Sequence, residues 1–296
     1  MKQFLKDFWL WILLVIGGRN IKLATSWNEL TERQLQNIAS ALEKFFRFRE
    51  CYPEDSQPAL FSRLYISLVK TLLRTNNMIK TWVALKQIPP EEYREHVEFL
   101  LKEVSRTKFP DAFKLKGKTY HPPGNRLNNI SIREFSFVDS MWFNWKKTND
   151  TRYLDLLCAA LYRKAPEGRP QNELDIRKPF NKILVEQEVE RFQKLPKKKK
   201  LAIAYTYEGS RNYIVKLYPH VFPPPRKKTE EELEAESQKL KAKSQEPKYT
   251  PFGRLLQHKI QFDPSKLERT QNLNVNEFLS TYENELIELK KQKKHA

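Results

Sequence analysis

The densest apolar segment of the chain is Ser131-Ile-Arg-Glu-Phe-Ser-Phe-Val-Asp-Ser-Met-Trp-Phe-Asn-Trp145. Its large apolar side chains recur every three or four residues, which is the spacing of one face of an α-helix. Ser131 and Glu134 also have the spacing of a capping box, in which a hydroxyl and a carboxylate satisfy the first free N–H groups of a helix. We therefore predict a helix that buries one face in a core. The core residues predicted for it are Ile132, Phe135, Val138, Trp142 and Trp145.

The same helical period recurs through most of the chain on either side of this segment. Capping boxes at Ser26 with Glu29 and at Thr31 with Gln34 predict the start of a first helix. Only 7 glycines occur, while aromatic residues reach 12%. That balance favours helices packed through large side chains over Gly-rich nucleotide-binding loops or β-sandwiches. Helices are predicted over residues 32–46, 58–74, 90–105, 152–163, 181–194 and 197–218.

The helical period is lost between residues 109 and 123. There, Phe113-Lys-Leu-Lys-Gly-Lys-Thr-Tyr120 alternates around Gly117, which is typical of a small β-hairpin. We therefore expect a mainly α fold, with a multi-helix domain, a small β-hairpin, a charged linker and a C-terminal helical module.

Composition divides the chain into four expected parts. Residues 1–20 are an apolar leader, and residues 21–225 are a helical core domain. Residues 226–248 are nearly all charged residues, Gln, Ser and Ala. Because this segment has little apolar surface to bury, it is interpreted as a flexible linker or an exposed single helix. Residues 249–296 are a C-terminal helical module.

The leader contains the apolar run Phe8-Trp-Leu-Trp-Ile-Leu-Leu-Val-Ile16 behind Lys2 and Lys6. This run is too short to cross a bilayer, which takes about 20 residues. A basic start with an apolar run is also typical of a secretory signal peptide, but Asp7 interrupts the basic start. We expect a cytoplasmic protein. The alternatives for residues 1–18 are secretion or membrane anchoring, a buried element of the fold, or an extension upstream of the true start.

The net charge of +18 lies mainly in the first 225 residues. They contain 39 of the 54 Lys and Arg and 24 of the 36 Asp and Glu, so they carry +15. A positive net charge of this size attracts polyanions and acidic proteins, and it also keeps a protein in solution. The two cysteines, Cys51 and Cys158, provide no disulfide framework. We expect both thiols to be reduced, as is usual inside cells.

No catalytic, cofactor-binding or metal site is predicted. The five histidines are scattered singly, and none lies three or four residues from another, whereas zinc ligands are normally closer together. The sequence shows no nucleophile elbow and no Gly-rich loop ahead of a lysine that could hold phosphates. We therefore expect no enzyme, no cofactor and no small-molecule substrate. An enzyme whose site assembles from distant residues is the third hypothesis.

Four consecutive lysines, Lys197, Lys198, Lys199 and Lys200, begin a predicted helix. Because the helix dipole favours negative groups at that end, we expect some compensation for the four positive charges. An acidic partner, a nucleic-acid backbone or a nearby Glu would each provide it. We predict that these lysines bind anions, as in sequence-independent contacts with phosphates. The alternative is a solvated helix start.

The final helix carries an apolar stripe, consisting of Val275, Phe278, Tyr282, Leu286 and Leu289. A stripe of this kind suits insertion into a groove of a partner, or self-association. We predict that these five residues bind a partner, and the alternative is that they dock onto the core of the same chain.

Two stretches of the chain carry a resemblance. The first runs from Ile21-Lys-Leu-Ala-Thr-Ser-Trp-Asn-Glu-Leu-Thr-Glu-Arg-Gln-Leu35 to Leu156-Leu-Cys-Ala-Ala-Leu-Tyr-Arg163, and the second from Phe252-Gly-Arg-Leu-Leu256 to Val275-Asn-Glu-Phe-Leu279. The first resembles uncharacterised proteins encoded among the tail-morphogenesis genes of tailed phages and prophages of Bacteroidetes-type bacteria. The second is similar to C-terminal helical modules of phage tail-assembly proteins.

The resemblance implies a non-enzymatic assembly or structural protein of a phage or prophage tail, chaperone-like and located in the cytoplasm of a bacterial host cell. It also implies that the protein properly begins near Ile21. The expected partners are other phage tail proteins or a second copy of the chain, with no membrane partner. The alternative function is non-specific binding of nucleic acid through the basic surface.

Overall fold

The computed structural model describes residues 8, 9, 11, 23–49, 51–73, 90–168, 175–224, 255–257, 259, 260 and 263–295. This part of the chain confirms a mainly α fold with a small β-hairpin. Its elements are α1 (Glu32–Arg49), α2 (Gln57–Leu73), α3 (Arg94–Leu101), β1 (Phe113–Leu115), β2 (Lys118–Tyr120), α4 (Ile132–Thr148), α5 (Thr151–Leu161), α6 (Lys182–Gln193), α7 (Lys197–Leu217), α8 (Leu267–Gln271) and α9 (Val275–His295).

Two compact units divide the chain, and neither is continuous in sequence. Unit 1 comprises residues 1–122 and 190–212, and unit 2 comprises residues 123–189 and 213–296. This division differs from the four parts expected from composition, because residues that are distant in the chain pack together. The expected linker at 226–248 lies outside the described residues, as does the leader apart from residues 8, 9 and 11.

Unit 1 is built around a buried stretch of α7. Every residue from Leu201 to Tyr207 is buried, so this stretch has packing partners on all sides rather than on one face. One of these partners is Trp27, whose ring lies 6.4 Å from the ring of Tyr205. The indole Nε1 of Trp27 donates a hydrogen bond to the carbonyl of Phe99 at 3.0 Å. The α7 stretch therefore organises elements from the first half of the chain.

A direct backbone approach fixes α7 against the segment that follows α3. A Cβ atom at Gly209 would lie only 2.2 Å from the carbonyl oxygen of Arg106, so only glycine fits there. The side chain of Asn212 also donates to the carbonyl of Val104 at 3.0 Å. We predicted a helix to residue 105, but α3 ends at Leu101. The extended segment that replaces its last turn is held on the surface of α7.

The start of α1 follows one predicted capping box and departs from the other. Thr31 and Gln34 form the reciprocal box, since Gln34 N donates to Thr31 Oγ1 and Thr31 N donates to Gln34 Oε1. Ser26 makes no such cap. Instead, the carboxylate of Glu29 accepts from the backbone N–H of Thr25 at 2.9 Å.

The predicted hairpin is confirmed, and its turn has two residues. Leu115 pairs with Lys118, so Lys116 and Gly117 form the connection. Both have a positive φ, of 48° and 75°, as a type I′ turn requires. Phe113 and Tyr120 of the hairpin pack on Phe192 at the end of α6, with ring centroids at 6.3 Å and 5.1 Å. The turn thus projects a lysine from a strand pair that is anchored by aromatic contacts.

In unit 2, α4 and α5 form a helical pair joined by two residues that cap them. Asn149 adopts a left-handed conformation at the end of α4, and the side chain of Asp150 accepts from Arg152 N at the start of α5. Ser131 caps α4, accepting from Glu134 N at 3.2 Å, but the carboxylate of Glu134 binds two arginines instead of completing the predicted capping box. Four of the five predicted core residues of α4 are buried, and Trp142 is half-buried.

A buried charge network lies beside this helical pair. The carboxylate of Glu134 accepts from Arg163 Nη2 at 3.0 Å and from Arg177 Nη1 at 3.0 Å. Asp175 accepts from Arg177 Nε at 2.8 Å. Burial alone would lower the pKa of Arg177, but the carboxylates of Glu134 and Asp175 raise it above its ordinary value. Backbone carbonyls accept further guanidinium N–H groups, so the network is well satisfied.

The C-terminal helix α9 docks onto unit 2 through backbone pairing at its first residue. Val275 N donates to the carbonyl of Ile130 at 3.0 Å, and Ile132 N donates to the carbonyl of Leu273 at 2.9 Å. The last helix is thereby fixed at the start of α4, and α9 belongs to unit 2.

Farther along α9, Glu283 binds the turn that follows α7. Its carboxylate accepts from the backbone N–H groups of His220 at 3.0 Å and Val221 at 2.9 Å, and Nδ1 of His220 lies 2.7 Å from Oε1. Burial opposes ionisation of this carboxyl, but the hydrogen bonds prevail and the pKa of Glu283 lies below its ordinary 4.5.

We predict that Glu134→Gln destabilises the protein by about 3 kcal/mol, because it leaves two buried guanidinium groups without the carboxylate that they share. Equilibrium unfolding in urea measures the change. Glu186→Gln is the matched control, since Glu186 is exposed and its nearest cation is 3.9 Å away. If Glu134→Gln lowers the free energy of unfolding by no more than the control does, a structural role for the network is contradicted.

We predict that the stabilising effect of Glu283 depends on pH. Because its pKa is lowered in the folded protein, its contribution is present above about pH 4.5 and disappears as the pH falls through the lowered value. Unfolding of the wild type and of Glu283→Gln should therefore differ at about pH 6 and converge towards about pH 3. A difference that stays constant over this range would refute the role of the ionised carboxylate.

Candidate functional site

An open groove lies between α1 and α2 in unit 1. Its volume is about 540 Å³. We call it the α1/α2 groove. Its lining residues are Asn37, Ser40, Ala41, Lys44, Phe45, Phe48, Tyr52, Leu60, Arg63, Leu64, Ser67, Thr71 and Lys198.

The pairing of α1 with α2 positions this groove. The buried faces of the two helices contain Leu35, Ile38 and Leu42 on α1 and Leu64 and Leu68 on α2. Both faces repeat every three or four residues, as a helix that buries one side requires. The polar and aromatic residues next to these faces therefore line the space along the contact between the two helices.

Three cationic side chains line the groove, and each comes from a different helix. Lys44 belongs to α1, Arg63 to α2 and Lys198 to α7. No Asp or Glu belongs to the lining, and none of the three cations forms an ion pair within the described part of the chain. The positive charge of the groove is therefore not balanced by a neighbouring carboxylate among these residues, which favours an anionic ligand.

Lys198 is held at the groove by a specific hydrogen bond. Its Nζ donates to Oδ1 of Asn37 on α1 at 2.9 Å. An amide oxygen orients the ammonium without neutralising it, so the charge remains available to a ligand.

Aromatic faces lie beside these cations. Phe48 and Tyr52 are 49% and 48% exposed, and their ring centroids are 6.1 Å apart in an edge-to-face arrangement. Backbone N–H of Tyr52 donates to the carbonyl of Phe48 in the turn that ends α1. Phe45 is half-buried and contacts Phe61 of α2 edge-to-face at 6.2 Å. The groove thus combines cations with planar apolar surfaces that face solvent.

The four lysines at the start of α7 do not form one site. Lys198 lines the groove, whereas the Nζ of Lys199 lies 4.3 Å from the centre of the Phe113 ring on the hairpin. Lys200 is buried, and its Nζ donates to the carbonyl of Gln193. Lys197 is exposed. Oxygen atoms and an aromatic face of the same fold thus partly compensate the charges at the helix start.

The apolar stripe on α9 is divided between buried and exposed positions. Val275 and Phe278 are buried, with Phe278 only 1% exposed. Tyr282 and Leu286 are half-buried, and Leu289 is 51% exposed. The first two residues pack within unit 2, so only the second half of the stripe faces solvent.

Other candidate chemistry is sparse in the part of the chain that the structure describes. No group of three or more His, Cys, Asp or Glu residues there could hold a metal ion. Cys51 is an exposed free thiol and Cys158 a buried one. None of the described helices has both the length and the apolar character that crossing a membrane requires.

Sequence reasoning found Lys198 but missed the other groove residues. Lys44 and Arg63 are single charges on two different helices, and only the pairing of α1 with α2 brings them to one surface. One signal was present in the sequence. The run Phe45-Phe-Arg-Phe48 has two aromatic residues beyond the buried face of its helix, and exposed aromatic residues often mark a binding surface.

Comparison with known proteins does not assign a function to the groove. No protein-family model, curated protein or solved structure matches the chain.

Proposed function

We propose that the protein is a non-enzymatic binding protein that holds single-stranded nucleic acid in the α1/α2 groove without sequence preference. One observation carries this proposal. Three cations from three helices share an open groove with exposed aromatic rings, and no carboxylate lines it.

Phosphate groups fit the cations of the groove. Lys44, Arg63 and Lys198 can each neutralise a phosphate and release the counterions bound to it, which is the main source of sequence-independent affinity. The charge distribution agrees with this role. Unit 1 contains 27 of the 54 basic and 15 of the 36 acidic residues, so it carries +12 of the total of +18.

The aromatic residues favour a single strand over other polyanions. Unpaired bases can stack on Phe48 and Tyr52, and such stacking contributes about 1–3 kcal/mol per base. In a duplex the faces of the bases are already covered by their neighbours. An acidic peptide would satisfy the cations but offers no planar face to the rings. The groove volume of about 540 Å³ is in the range of about 300–1,000 Å³ that suits a small ligand, so it holds a short part of a strand.

The cations are tested by removing two of them. For Lys44→Gln with Arg63→Gln we expect affinity for a labelled oligothymidylate to fall about tenfold at low salt. The magnitude of the slope of log affinity against log salt should fall by about 1.4, since two phosphate contacts are removed and each contributes about 0.7 for a single strand. Fluorescence anisotropy over a salt series measures both quantities. The matched control is Arg133→Gln with Lys147→Gln, which removes the same charge from exposed positions of α4 in unit 2.

The aromatic residues provide a second arm of this test. Phe48→Ala should weaken binding by about 1–3 kcal/mol and leave the salt slope unchanged, because stacking releases no counterions. Strong binding of polyglutamate that Phe48→Ala leaves intact would favour an acidic protein as the ligand. Oligonucleotide binding that is absent, or equally weakened by the control variant, would refute the proposal.

A second candidate function is assembly of a phage or prophage tail through protein–protein contact. The observation that favours it is the second half of the α9 stripe, in which Tyr282 and Leu286 are half-buried and Leu289 is exposed. An apolar helix face of this kind suits a groove on another tail protein. Its partner in this proposal is a protein encoded beside it among tail-morphogenesis genes.

Removing the whole C-terminal region would not test this function cleanly, because α9 is part of unit 2. Leu286→Asp with Leu289→Asp leaves the buried residues of α9 in place. We expect this variant to fold and to lose co-purification with the neighbouring morphogenesis proteins, since two charges would enter an apolar contact. Asn284→Asp with Gln292→Asp is the control, since it adds the same two negative charges at exposed positions of the same helix. If the proteins still co-purify after the leucine substitutions, the stripe is not their contact surface.

A further inference from the structure

The α1/α2 groove has two chemically different ends. Towards the end of α1 its lining is aromatic and contains Phe45, Phe48 and Tyr52. Nearer the start of α1 its polar lining residues are Asn37, Ser40, Ser67, Thr71 and Lys198. Bases can therefore stack at only one end, and the other end presents hydrogen-bonding groups to the rest of a bound strand.

Two contacts show how α1 pairs with α2. Near the start of α1, Nε2 of Gln34 donates to the carbonyl of Leu72, near the end of α2, at 3.1 Å. Near the end of α1, the ring of Phe45 lies 6.2 Å from the ring of Phe61, near the start of α2. The two helices are therefore antiparallel. Because both rise about 1.5 Å per residue, the same register holds between the two contacts.

This register places two serines on facing positions of the groove. Ser40 of α1 lies across from Ser67 of α2, and one turn farther along α1, Lys44 lies across from Arg63. On the other side of the serines, Lys198 is hydrogen-bonded to α1 about one turn before Ser40. The serine pair thus lies between two cationic positions that are about 10 Å apart along α1.

Both serine hydroxyls are available to a ligand. Ser40 is half-buried and Ser67 is exposed. Thr71 Oγ1 donates to the backbone carbonyl of Ser67 at 2.8 Å, but neither serine hydroxyl forms a hydrogen bond within the part of the chain that the structure describes. Each hydroxyl can donate one hydrogen bond and accept others.

A sugar is the part of a strand that meets this pair. If phosphates occupy the two cationic positions, the sugar between them lies against the serine hydroxyls. A ribose has a 2′-hydroxyl, which both donates and accepts hydrogen bonds and which distinguishes RNA from DNA. A deoxyribose has only hydrogen at that carbon, so it would cover the serine hydroxyls without bonding to them.

We propose that the α1/α2 groove prefers RNA to DNA, and that Ser40 and Ser67 bind the 2′-hydroxyl of the sugar between two bound phosphates. This inference rests on the proposed function of the groove. It names the class of nucleic acid, because the cations and the rings contact phosphates and bases that RNA and DNA share.

The test uses the full chain with oligouridylate and oligodeoxyuridylate of about 8 nucleotides, a length within the usual range of site sizes. The two oligomers differ only in the 2′-hydroxyl. For the wild type we expect oligouridylate to bind about tenfold more tightly, which corresponds to one or two net hydrogen bonds. The salt slopes should be equal, since both oligomers present the same phosphates.

The variant Ser40→Ala with Ser67→Ala tests the assignment of residues. We expect it to lose the preference, with oligouridylate bound about tenfold more weakly and oligodeoxyuridylate within about twofold of the wild type. The matched control is Ser62→Ala with Ser140→Ala, which removes two helical hydroxyls that donate to backbone carbonyls outside the groove. The control should keep the preference.

Each outcome separates this inference from the function on which it rests. Equal binding of the two oligomers by the wild type would overturn the preference for RNA and leave the groove in place. A preference that survives Ser40→Ala with Ser67→Ala, or that the control also loses, would overturn the role of the serine pair. A wild type that binds neither oligomer would refute the groove and the preference together.

Discussion

The burial of α7 is the constraint on which unit 1 depends. A helix whose residues from Leu201 to Tyr207 are all buried must be enclosed by other elements. Gly209 permits the backbone of Arg106 to approach it directly, and Trp27 packs on Tyr205. Lys200, next to this buried stretch, is buried and donates to a backbone carbonyl, whereas the three lysines before it lie at or near the surface. Lys198 therefore reaches the groove, while Lys199 reaches the hairpin.

Buried charges are paired in unit 2, whereas the cations of the groove in unit 1 have no carboxylate partner among the described residues. In unit 2, the carboxylate of Glu134 is shared by two buried arginines, and backbone carbonyls accept further guanidinium N–H groups. Such a network specifies a structure and leaves little capacity for a ligand. In unit 1, the cations of the groove lie at the surface, and no carboxylate belongs to the groove lining among the described residues. Unbalanced charge at an accessible surface is the physical basis for the proposed binding of a polyanion.

In the proposed function, the exposed aromatic residues are the source of selectivity for a single strand. Phe48 and Tyr52 cost solvation free energy in the free protein, because about half of each side chain faces water. Contact with a planar base would remove that cost, whereas a simple anion would not. Cations and rings on one groove therefore favour a ligand that carries both negative charge and flat apolar faces.

The sequence by itself determined where the helices and the hairpin form. Helical periodicity and capping residues such as Thr31 and Ser131 predicted most helices to within a few residues, and the alternation around Gly117 predicted the hairpin. These signals are local, because they depend on hydrogen bonds and side-chain spacing within one element. Only the tertiary structure decided which elements share a unit, how the four lysines separate, and that Val275 and Phe278 are buried. The groove depends on the packing of α1 against α2 and on Lys198 from the distant helix α7, so no single segment of sequence records it.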